Sequence, residues 1–339
     1  MGVDLGALVP RERIGIKDLA GQAVAIDGHN ALYQFLSIIR QPDGTPLKDS
    51  QGRVTSHLSG LLYRTSNLLE AGIRPVYVFD GKPHARKHRV LRERRERKEQ
   101  AAKQMQEALA AGDTATAFTK AQQTATLTWD MVTQGLALLD ALGLPHLQAP
   151  AEGEAQAAFL AQRGDVDACV SQDFDALLFG APVLVRNLAV TGRRKLPGRQ
   201  AYVDVEPERI ELARALRDLH LSREQLVAVG ILMGTDYNEG VRGVGPKKAL
   251  KLVREHGTLA AALAKVGAEV EDVEEVQRLF LAPEVTHDCQ VQWGAPDEAR
   301  VLAMMCEEHD FSQERVRSAL EKFRGLAEAR KQRSLDAFF

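Results

Sequence analysis

The sequence predicts an α/β fold in which a mostly parallel, twisted sheet is flanked by helices. Short apolar runs that are rich in β-branched residues and bounded by turn residues are typical of buried parallel strands, and they occur at residues 24–26, 75–79, 168–170 and 183–185. Helical patterns separate these runs, notably from His57 to Glu70 and from Thr128 to Leu142. This alternation of strand and helix is the one expected of a doubly wound fold.

The composition indicates a globular protein of a reducing compartment. The 339 residues are 45% apolar and 27% charged, and the three cysteines are too few and too widely spaced for a disulfide framework. No apolar run approaches the roughly 20 residues needed to cross a bilayer, and the N-terminus shows no targeting pattern. We therefore expect a cytoplasmic protein with no membrane partner.

Positive charge is concentrated in one segment, although the formal net charge is only −2. Between Lys82 and Lys98 there are nine Lys or Arg residues against two Glu residues. Residues 84–110 have the pattern of a long charged helix with acid–base pairs at four-residue spacing. A helix with almost no apolar stripe either bridges through solvent or touches a charged partner. The segment is therefore a candidate surface for an anionic partner.

Seven acidic residues are predicted to converge on one edge of the sheet. Four of them follow predicted strands: Asp27, Asp80, Asp173 and Asp175. Glu152 and Glu154 open a predicted helix after Pro150, and Asp236 ends an apolar run. Open α/β sheets place their sites at the carboxyl ends of the strands. A single acid after a strand is more often a turn or helix cap than a ligand. Acids at several such places together favour a functional interpretation.

The chemistry of this acidic cluster favours divalent metal ions. Seven carboxylates at one edge would repel each other by several kcal/mol unless cations lay among them. Carboxylate ligands without cysteine favour magnesium or manganese over zinc. Two such ions about 4 Å apart can stabilise both the attacking and the leaving oxygen of a phosphodiester. We therefore expect two Mg²⁺ ions, for which Mn²⁺ can substitute.

Five ordered blocks resemble the flap endonuclease family, most closely its archaeal branch. They read Ile-Asp-Gly-His-Asn-Ala-Leu-Tyr from Ile26, Val-Phe-Asp-Gly-Lys-Pro from Val78, Ala-Pro-Ala-Glu-Gly-Glu-Ala from Ala149, Ser-Gln-Asp-Phe-Asp-Ala-Leu-Leu-Phe-Gly from Ser171, and Gly-Thr-Asp-Tyr-Asn-Glu-Gly from Gly234. Five blocks spanning nearly the whole chain are far more specific than one signature. The resemblance implies a structure-specific endonuclease and 5′–3′ exonuclease that acts on branched DNA with a 5′ flap, in Okazaki fragment processing and repair.

The resemblance also implies roles for individual residues. The seven acids match the family's two-metal ligands, and residues from about 82 to 125 match its helical gateway and arch, under which the 5′ end threads. Lys87 and Arg94 match residues that steady the scissile phosphate, and Tyr33 matches an aromatic residue that stacks on a base near the cut. Cations from outside the ligand set are needed because seven acids and two divalent ions leave the site negative.

The segment from Gly243 to Lys248, Gly-Val-Gly-Pro-Lys-Lys, resembles the turn of a helix–hairpin–helix. Exposed backbone amides at a helix start, with lysines beside them, bind phosphates without reading bases. We expect DNA contacts from Arg40, Gly243, Gly245, Lys247 and Lys248. The resemblance further implies a potassium ion at this turn, although Gly240 stands where relatives often carry a polar side chain.

The C-terminal residues resemble the sliding-clamp-binding motif of replication proteins, with the matching positions Gln332, Leu335, Phe338 and Phe339. A short 3₁₀ turn would bring positions i, i+3 and i+6 together, and two terminal aromatic rings are more economically buried on a partner than on the protein itself. We thus expect a monomer with a nuclease core at 1–215, a helical DNA-binding region at 216–325, and a flexible clamp-binding tail at 326–339.

Related nucleases and an inactive adaptor are the alternatives to this interpretation. Junction resolvases and excision-repair nucleases share the acids, but the 71 residues at 81–151 suit an arch and are far too few for the long spacer of the excision-repair branch. PIN-type ribonucleases have fewer acids and no helix–hairpin–helix. An inactive DNA-binding adaptor would have no reason to keep all seven acids. His29 either perturbs the site or merely lines it.

Overall fold

The computed structural model describes residues 2–41, 44–188, 192–195 and 202–336, and only the backbone at residues 91, 94, 109, 115, 192–195, 202–204 and 325–336. The strands of this described part are β1 (Glu12–Arg13), β2 (Ala23–Asp27), β3 (Arg74–Phe79), β4 (His146–Gln148), β5 (Ala168–Val170), β6 (Val183–Arg186), β7 (Gly192–Lys195), β8 (Tyr202–Val205) and β9 (Glu208–Glu211). Each of the four predicted strands is present.

The main sheet has seven strands in the order β1-β9-β6-β5-β2-β3-β4, and β7 and β8 form a separate hairpin. Strand β2 pairs in parallel with β3 on one side and with β5 on the other. Strands β4 and β6 continue the parallel part, whereas β9 and β1 add an antiparallel edge. The prediction of a mostly parallel sheet is therefore confirmed. The chain proceeds from β2 toward both edges, which creates a crevice at the carboxyl end of β2.

Helices cover both faces of this sheet. They are α1 (Gly28–Ile38), α2 (Ser56–Glu70), α3 (His88–Ala110), α4 (Thr114–Gln123), α5 (Trp129–Ala141), α6 (Gly153–Arg163), α7 (Asp175–Leu178), α8 (Leu212–Leu219), α9 (Arg223–Met233), α10 (Pro246–His256), α11 (Leu259–Val266), α12 (Val273–Leu281), α13 (Glu298–Leu302) and α14 (Gln313–Asp336). The predicted charged helix is present as a 3₁₀ turn at Ala85–Lys87 followed by α3, which packs against α4.

The central strands are buried on both faces, which explains why their sequences are almost continuously apolar. In β3, Val76 and Val78 join one apolar cluster, whereas the alternate residues Tyr77 and Phe79 join the other. The first cluster includes buried residues of α6, α7 and α9 to α12, and the second includes those of α1, α2, α5 and α14. Because both faces are covered, the ends of the strands are the places where the sheet can present polar groups.

The C-terminal helix extends into the segment that was expected to be a flexible tail. Helix α14 packs against α2 through the buried residues Val316, Leu320 and Phe323, and its backbone remains helical as far as Asp336. We expected a flexible tail from residue 326 and a 3₁₀ turn within the motif, but residues 326–336 consist largely of strong helix formers. Phe338 and Phe339 lie outside the described residues.

In the described part of the chain, no helix is both long and apolar enough to span a membrane.

Candidate metal centre and DNA-binding surface

Three of the predicted acids are held in place by backbone N–H groups at the carboxyl ends of the parallel strands. Asp27 ends β2 and caps α1, since its carboxylate accepts a hydrogen bond of 3.0 Å from the N–H of Asn30. Asp80 follows β3 and accepts 2.7 Å from the N–H of Gly153. Asp175 accepts 2.8 Å from the N–H of Val3. These hydrogen bonds from the backbone orient the three carboxylates.

The remaining acids approach from neighbouring elements. Glu152 and Glu154 flank the N-terminus of α6, where the helix dipole favours negative charge. Asp173 lies in the turn between β5 and α7, and Asp236 follows α9 and is 5% exposed. The hydroxyl of Ser171 donates to Glu154 and also accepts from the N–H of Asp173 at 3.1 Å. All seven predicted acids therefore belong to one region at the sheet edge.

Burial, and then the charge of neighbouring carboxylates, raises the pKa of three of these acids. Burial and the nearby Asp80 raise the pKa of Asp27 to about 8. Burial and Asp236 raise the pKa of Asp175 to about 7. The pKa of Glu154 lies well above its ordinary value because of burial and the charges of Asp175, Asp173 and Asp27. Burial and repulsion both disfavour the ionised form, and a cation placed among these carboxylates would favour it.

One protein cation already lies within the acidic cluster. The ammonium of Lys87 forms an ion pair with Glu152, and its Nζ is 4.0 Å from a carboxylate oxygen of Asp236. Although burial opposes it, the charge of Glu152 raises the pKa of Lys87. The Lys87 side chain is only 21% exposed. It reaches the cluster from the start of the gateway, where the sequence analysis placed it.

The donor set fits hard divalent cations. Its ligands are carboxylates, and hard oxygen donors are those that Mg²⁺ and Mn²⁺ prefer. Within the described residues, no three acidic, cysteine or histidine side chains form a compact metal-binding group. The acids are spread over the crevice, and several are engaged by backbone N–H groups or by Lys87. Such spacing suits hydrated ions, because Mg²⁺ usually retains several of its waters.

Two further residues line the site: Tyr237, which was not singled out from the sequence, and His29, which was expected either to perturb the site or to line it. Tyr237 is 5% exposed, burial and the nearby Glu152 raise the pKa of its phenol, and its ring lies 5.5 Å from the ammonium of Lys87. His29 accepts a 3.0 Å hydrogen bond at Nδ1 from the N–H of Asp80, so it fixes the turn after β3. The only signal for either residue was its position beside a predicted ligand, as Tyr237 follows Asp236 directly.

The N-terminal segment closes one side of the cluster. A Cβ atom on Gly2 would lie 2.6 Å from Oδ2 of Asp175, a distance that real Cβ contacts do not reach. Glycine is therefore required here for the backbone to approach the carboxylate closely. The adjacent Val3 supplies the N–H that orients Asp175, and its side chain is 3% exposed.

The gateway helix passes over the aromatic residue identified by resemblance. The Tyr33 ring on α1 is partly buried, and Nζ of Lys98 on α3 lies 5.1 Å from its centroid. Arg94 lies on α3 between this contact and Lys87, but its side chain is outside the described residues. Arg40 donates to the carbonyls of Ser37 at 3.2 Å and of Gly44 at 2.8 Å. Its guanidinium thus also stabilises the loop after α1.

The predicted helix–hairpin–helix turn connects α9 and α10. Gly243 adopts φ +76° and Gly245 caps α10, whose first residue is Pro246. Lys247 and Lys248 are exposed beside these backbone groups. Gly240 has no freedom to carry a side chain, because with φ +72° an added Cβ would lie 2.4 Å from the backbone nitrogen of Gly234. A partner that contacts the turn at Gly240 therefore meets backbone groups of the protein there.

Comparison with known proteins agrees with this geometry. The XPG N-terminal domain matches residues 6–101 and the XPG I-region matches residues 143–236. The chain is 53% identical to flap endonuclease 1 of Methanothrix thermoacetophila over 95% of each chain, and 50% identical to that of Thermococcus onnurineus over 100% of this chain and 99% of the other.

A solved structure extends the similarity to three dimensions. The flap endonuclease-1 structure from Methanococcus jannaschii is similar with a TM-score of 0.78 and 42% identity, over 97% of this chain and 100% of that one. Half of the residues are shared with the sequence relatives over nearly the full length, and the fold is shared with the solved structure. The chain therefore belongs to the flap endonuclease family.

Proposed function

We propose that this protein is a divalent-metal-dependent 5′ nuclease that cuts branched DNA at the base of a 5′ flap. The observation that carries this proposal is the convergence of seven acids at the sheet edge. Lys87 lies among them and comes from the turn that precedes the basic helix α3. The acids alone would repel DNA. The basic helix on one side and the helix–hairpin–helix turn on the other supply the positive surfaces that a phosphate backbone needs.

The acidic cluster is proposed to hold two Mg²⁺ ions, with Mn²⁺ as a substitute. Its ligands would be Asp27, Asp80, Glu152, Glu154, Asp173, Asp175 and Asp236. When bound, such ions supply Lewis-acid stabilisation of the phosphodiester undergoing hydrolysis. The protein's own contribution is preorganisation, since backbone N–H groups already orient Asp27, Asp80 and Asp175.

Cations on the gateway would stabilise charge on the scissile phosphate. Lys87 is held by Glu152, and its ammonium can exchange that carboxylate for a phosphate oxygen when DNA enters the crevice. Arg94 lies seven residues further along, on helix α3, and would supply a second cation from the same segment. Tyr33, beneath α3, would stack on a base beside the cut.

The duplex is proposed to contact the helix–hairpin–helix turn and the loop after α1. Backbone amides at Gly243 and Gly245 and the ammonium groups of Lys247 and Lys248 would bind phosphates without reading sequence. Arg40 would add a contact from the other side of the crevice. A potassium ion at the turn would have to use backbone oxygens where Gly240 offers no side chain.

In the cell, this activity would process Okazaki fragments and repair intermediates, with 5′–3′ exonuclease activity at nicks and gaps. We place the protein in the cytoplasm at the nucleoid and expect it to act as a monomer. Gln332, Leu335, Phe338 and Phe339 would bind a sliding clamp, which would keep the nuclease at the replication site. Burial of two aromatic rings can contribute several kcal/mol before ordering costs, enough for micromolar attachment.

Asp80→Asn should abolish cutting and spare flap binding. The amide keeps an acceptor for the N–H of Gly153 but removes the charge needed to bind a divalent ion. We expect the single-turnover rate in Mg²⁺ to fall by roughly a hundredfold or more. The matched control is Asp167→Asn at the opposite edge of the sheet, where the carboxylate accepts 2.7 Å from the N–H of Ala23. Normal cutting by Asp80→Asn would refute the metal assignment.

Lys87→Ala and Arg94→Ala should each slow the chemical step. Loss of one donor to a transition-state charge typically costs about two orders of magnitude or more in rate. The measurement is single-turnover cleavage of a labelled flap with enzyme in excess, and Lys103→Ala, an exposed position on the same helix, is the control. If both variants changed only affinity and its salt dependence, the two residues would be simple phosphate anchors.

Phe338→Ala combined with Phe339→Ala should remove clamp binding and clamp stimulation while leaving the cutting of free flap DNA nearly unchanged. Calorimetric titration against the sliding clamp measures the first effect, and flap cleavage without clamp measures the second. Lys331→Ala, just outside the motif, serves as the control. Undiminished clamp binding by the double variant, or unfolding several degrees below the wild type, would show that the two rings serve another purpose.

A further inference from the structure

The base of the gateway is the turn at residues 84–87. Ion pairs that lie outside the acidic cluster join this turn to helix α12. Nε of Arg86 donates to Oε2 of Glu275 at 2.8 Å, and a second guanidinium nitrogen of Arg86 forms an ion pair with Asp272. The Arg86 side chain is only 18% exposed. A guanidinium divided between two carboxylates is fixed in direction as well as in position.

The turn that carries Arg86 is also fixed by its neighbour His84. Nδ1 of His84 accepts from the N–H of Arg86 at 3.3 Å, and the carbonyl of His84 accepts from the N–H of Lys87 at 2.9 Å. The other ring nitrogen, Nε2, lies 3.8 Å from Glu275. The ring also meets Tyr237 edge-on at 6.0 Å between centroids. His84 therefore links the gateway base both to α12 and to the acidic cluster.

The carboxylates that hold Arg86 lie at the N-terminal end of helix α12, which packs in the core. Helix α12 buries Val276 and Phe280 completely in the core. The ring of Phe280 packs against Tyr237 at 5.3 Å and against Phe179 at 5.0 Å. Asp272 and Glu275 begin this helix, so their positions are set by the core.

Helix α3 has little other anchorage of this kind among the described residues. Its buried side chains are the small or medium ones of Val90, Ala101 and Ala108. Its other ion pair to the DNA-binding region, from Arg89 to Glu239 at 3.4 Å, involves a Glu239 side chain that is 76% exposed. Exposed pairs of this kind contribute little. Apart from the ion pair of Lys87 with Glu152, the Arg86 contacts are therefore the main polar attachment of the gateway base among the described residues.

We propose that Arg86, clamped by Asp272 and Glu275, is a positioning residue that holds Lys87 in the acidic cluster before DNA arrives. Successive side chains of a 3₁₀ turn project about 120° apart. With Arg86 directed at α12, the same turn directs Lys87 at Glu152. The inference rests on the proposed role of Lys87 in cutting, and it adds a device that keeps that residue in register.

The test combines Arg86 variants with a Lys87 background. Arg86→Met keeps the apolar stem and removes the charge, and Asp272→Asn with Glu275→Gln removes the partners instead. Glu274→Gln is the matched control, since it removes a charge from the same turn of α12 at an exposed position. Single-turnover cleavage of a flap in Mg²⁺ gives the rate, and flap binding in Ca²⁺ gives the Kd.

We expect Arg86→Met and the Asp272→Asn, Glu275→Gln variant each to lower the rate by roughly tenfold, because displacement of a catalytic group by about an ångström has effects of this order or larger. The Kd should change less than about twofold, and Glu274→Gln should behave as the wild type. In a Lys87→Ala background, Arg86→Met should have almost no further effect on the rate, because it acts through Lys87.

Two results would overturn the inference: an unchanged rate in both variants, or an equal loss of rate with and without Lys87, which would indicate that Arg86 acts on DNA directly. A failure of the proposed function is distinguishable from either. In that case Lys87→Ala alone would leave the rate unchanged, and there would be no catalytic group for Arg86 to position.

Discussion

Repulsion between carboxylates at the carboxyl edge of the sheet is the constraint on which the rest of this structure depends. Burial and neighbouring charge raise the pKa of Asp27, Glu154 and Asp175, so each carboxylate makes the ionised state of the others less favourable. A protein can keep such unfavourable charge at a functional site when favourable interactions elsewhere offset its cost in the free energy of folding. Here the apolar clusters on both faces of the sheet supply the compensation, and the ammonium of Lys87 lies among the carboxylates.

The parallel topology determines where this charge is concentrated. Strands β2, β3 and β5 are neighbours, so the residues that follow them are brought together although they are far apart in sequence. Backbone N–H groups at the starts of helices α1 and α6 then orient the carboxylates of Asp27 and Asp80. The same secondary structure that forms the core therefore also preorganises these two carboxylates.

The sequence was sufficient for the features that depend on local pattern and topology. The central strands were recognisable because burial on both faces makes them continuously apolar, and strand ends located the acids. Strand β9 was not predicted because only Ile210 of its Glu-Arg-Ile-Glu sequence is buried. The contact between Arg86 and Glu275 spans 189 residues of sequence, and neither residue has a distinctive pattern around it. The helical backbone of α14 up to Asp336 was not predicted, because the terminal residues were interpreted as a clamp-binding motif and not by their helix propensity.

The most direct test of the central claim is thermal unfolding of the wild type and of Glu154→Gln, each with and without Mg²⁺. The amide keeps an acceptor for the hydroxyl of Ser171 and removes one of the repelling charges. Without metal, Glu154→Gln should melt about 2–5 °C above the wild type. Mg²⁺ should stabilise the wild type clearly more than the variant. A metal-free variant that melts no higher than the wild type, or a wild type that Mg²⁺ does not stabilise, would contradict the account.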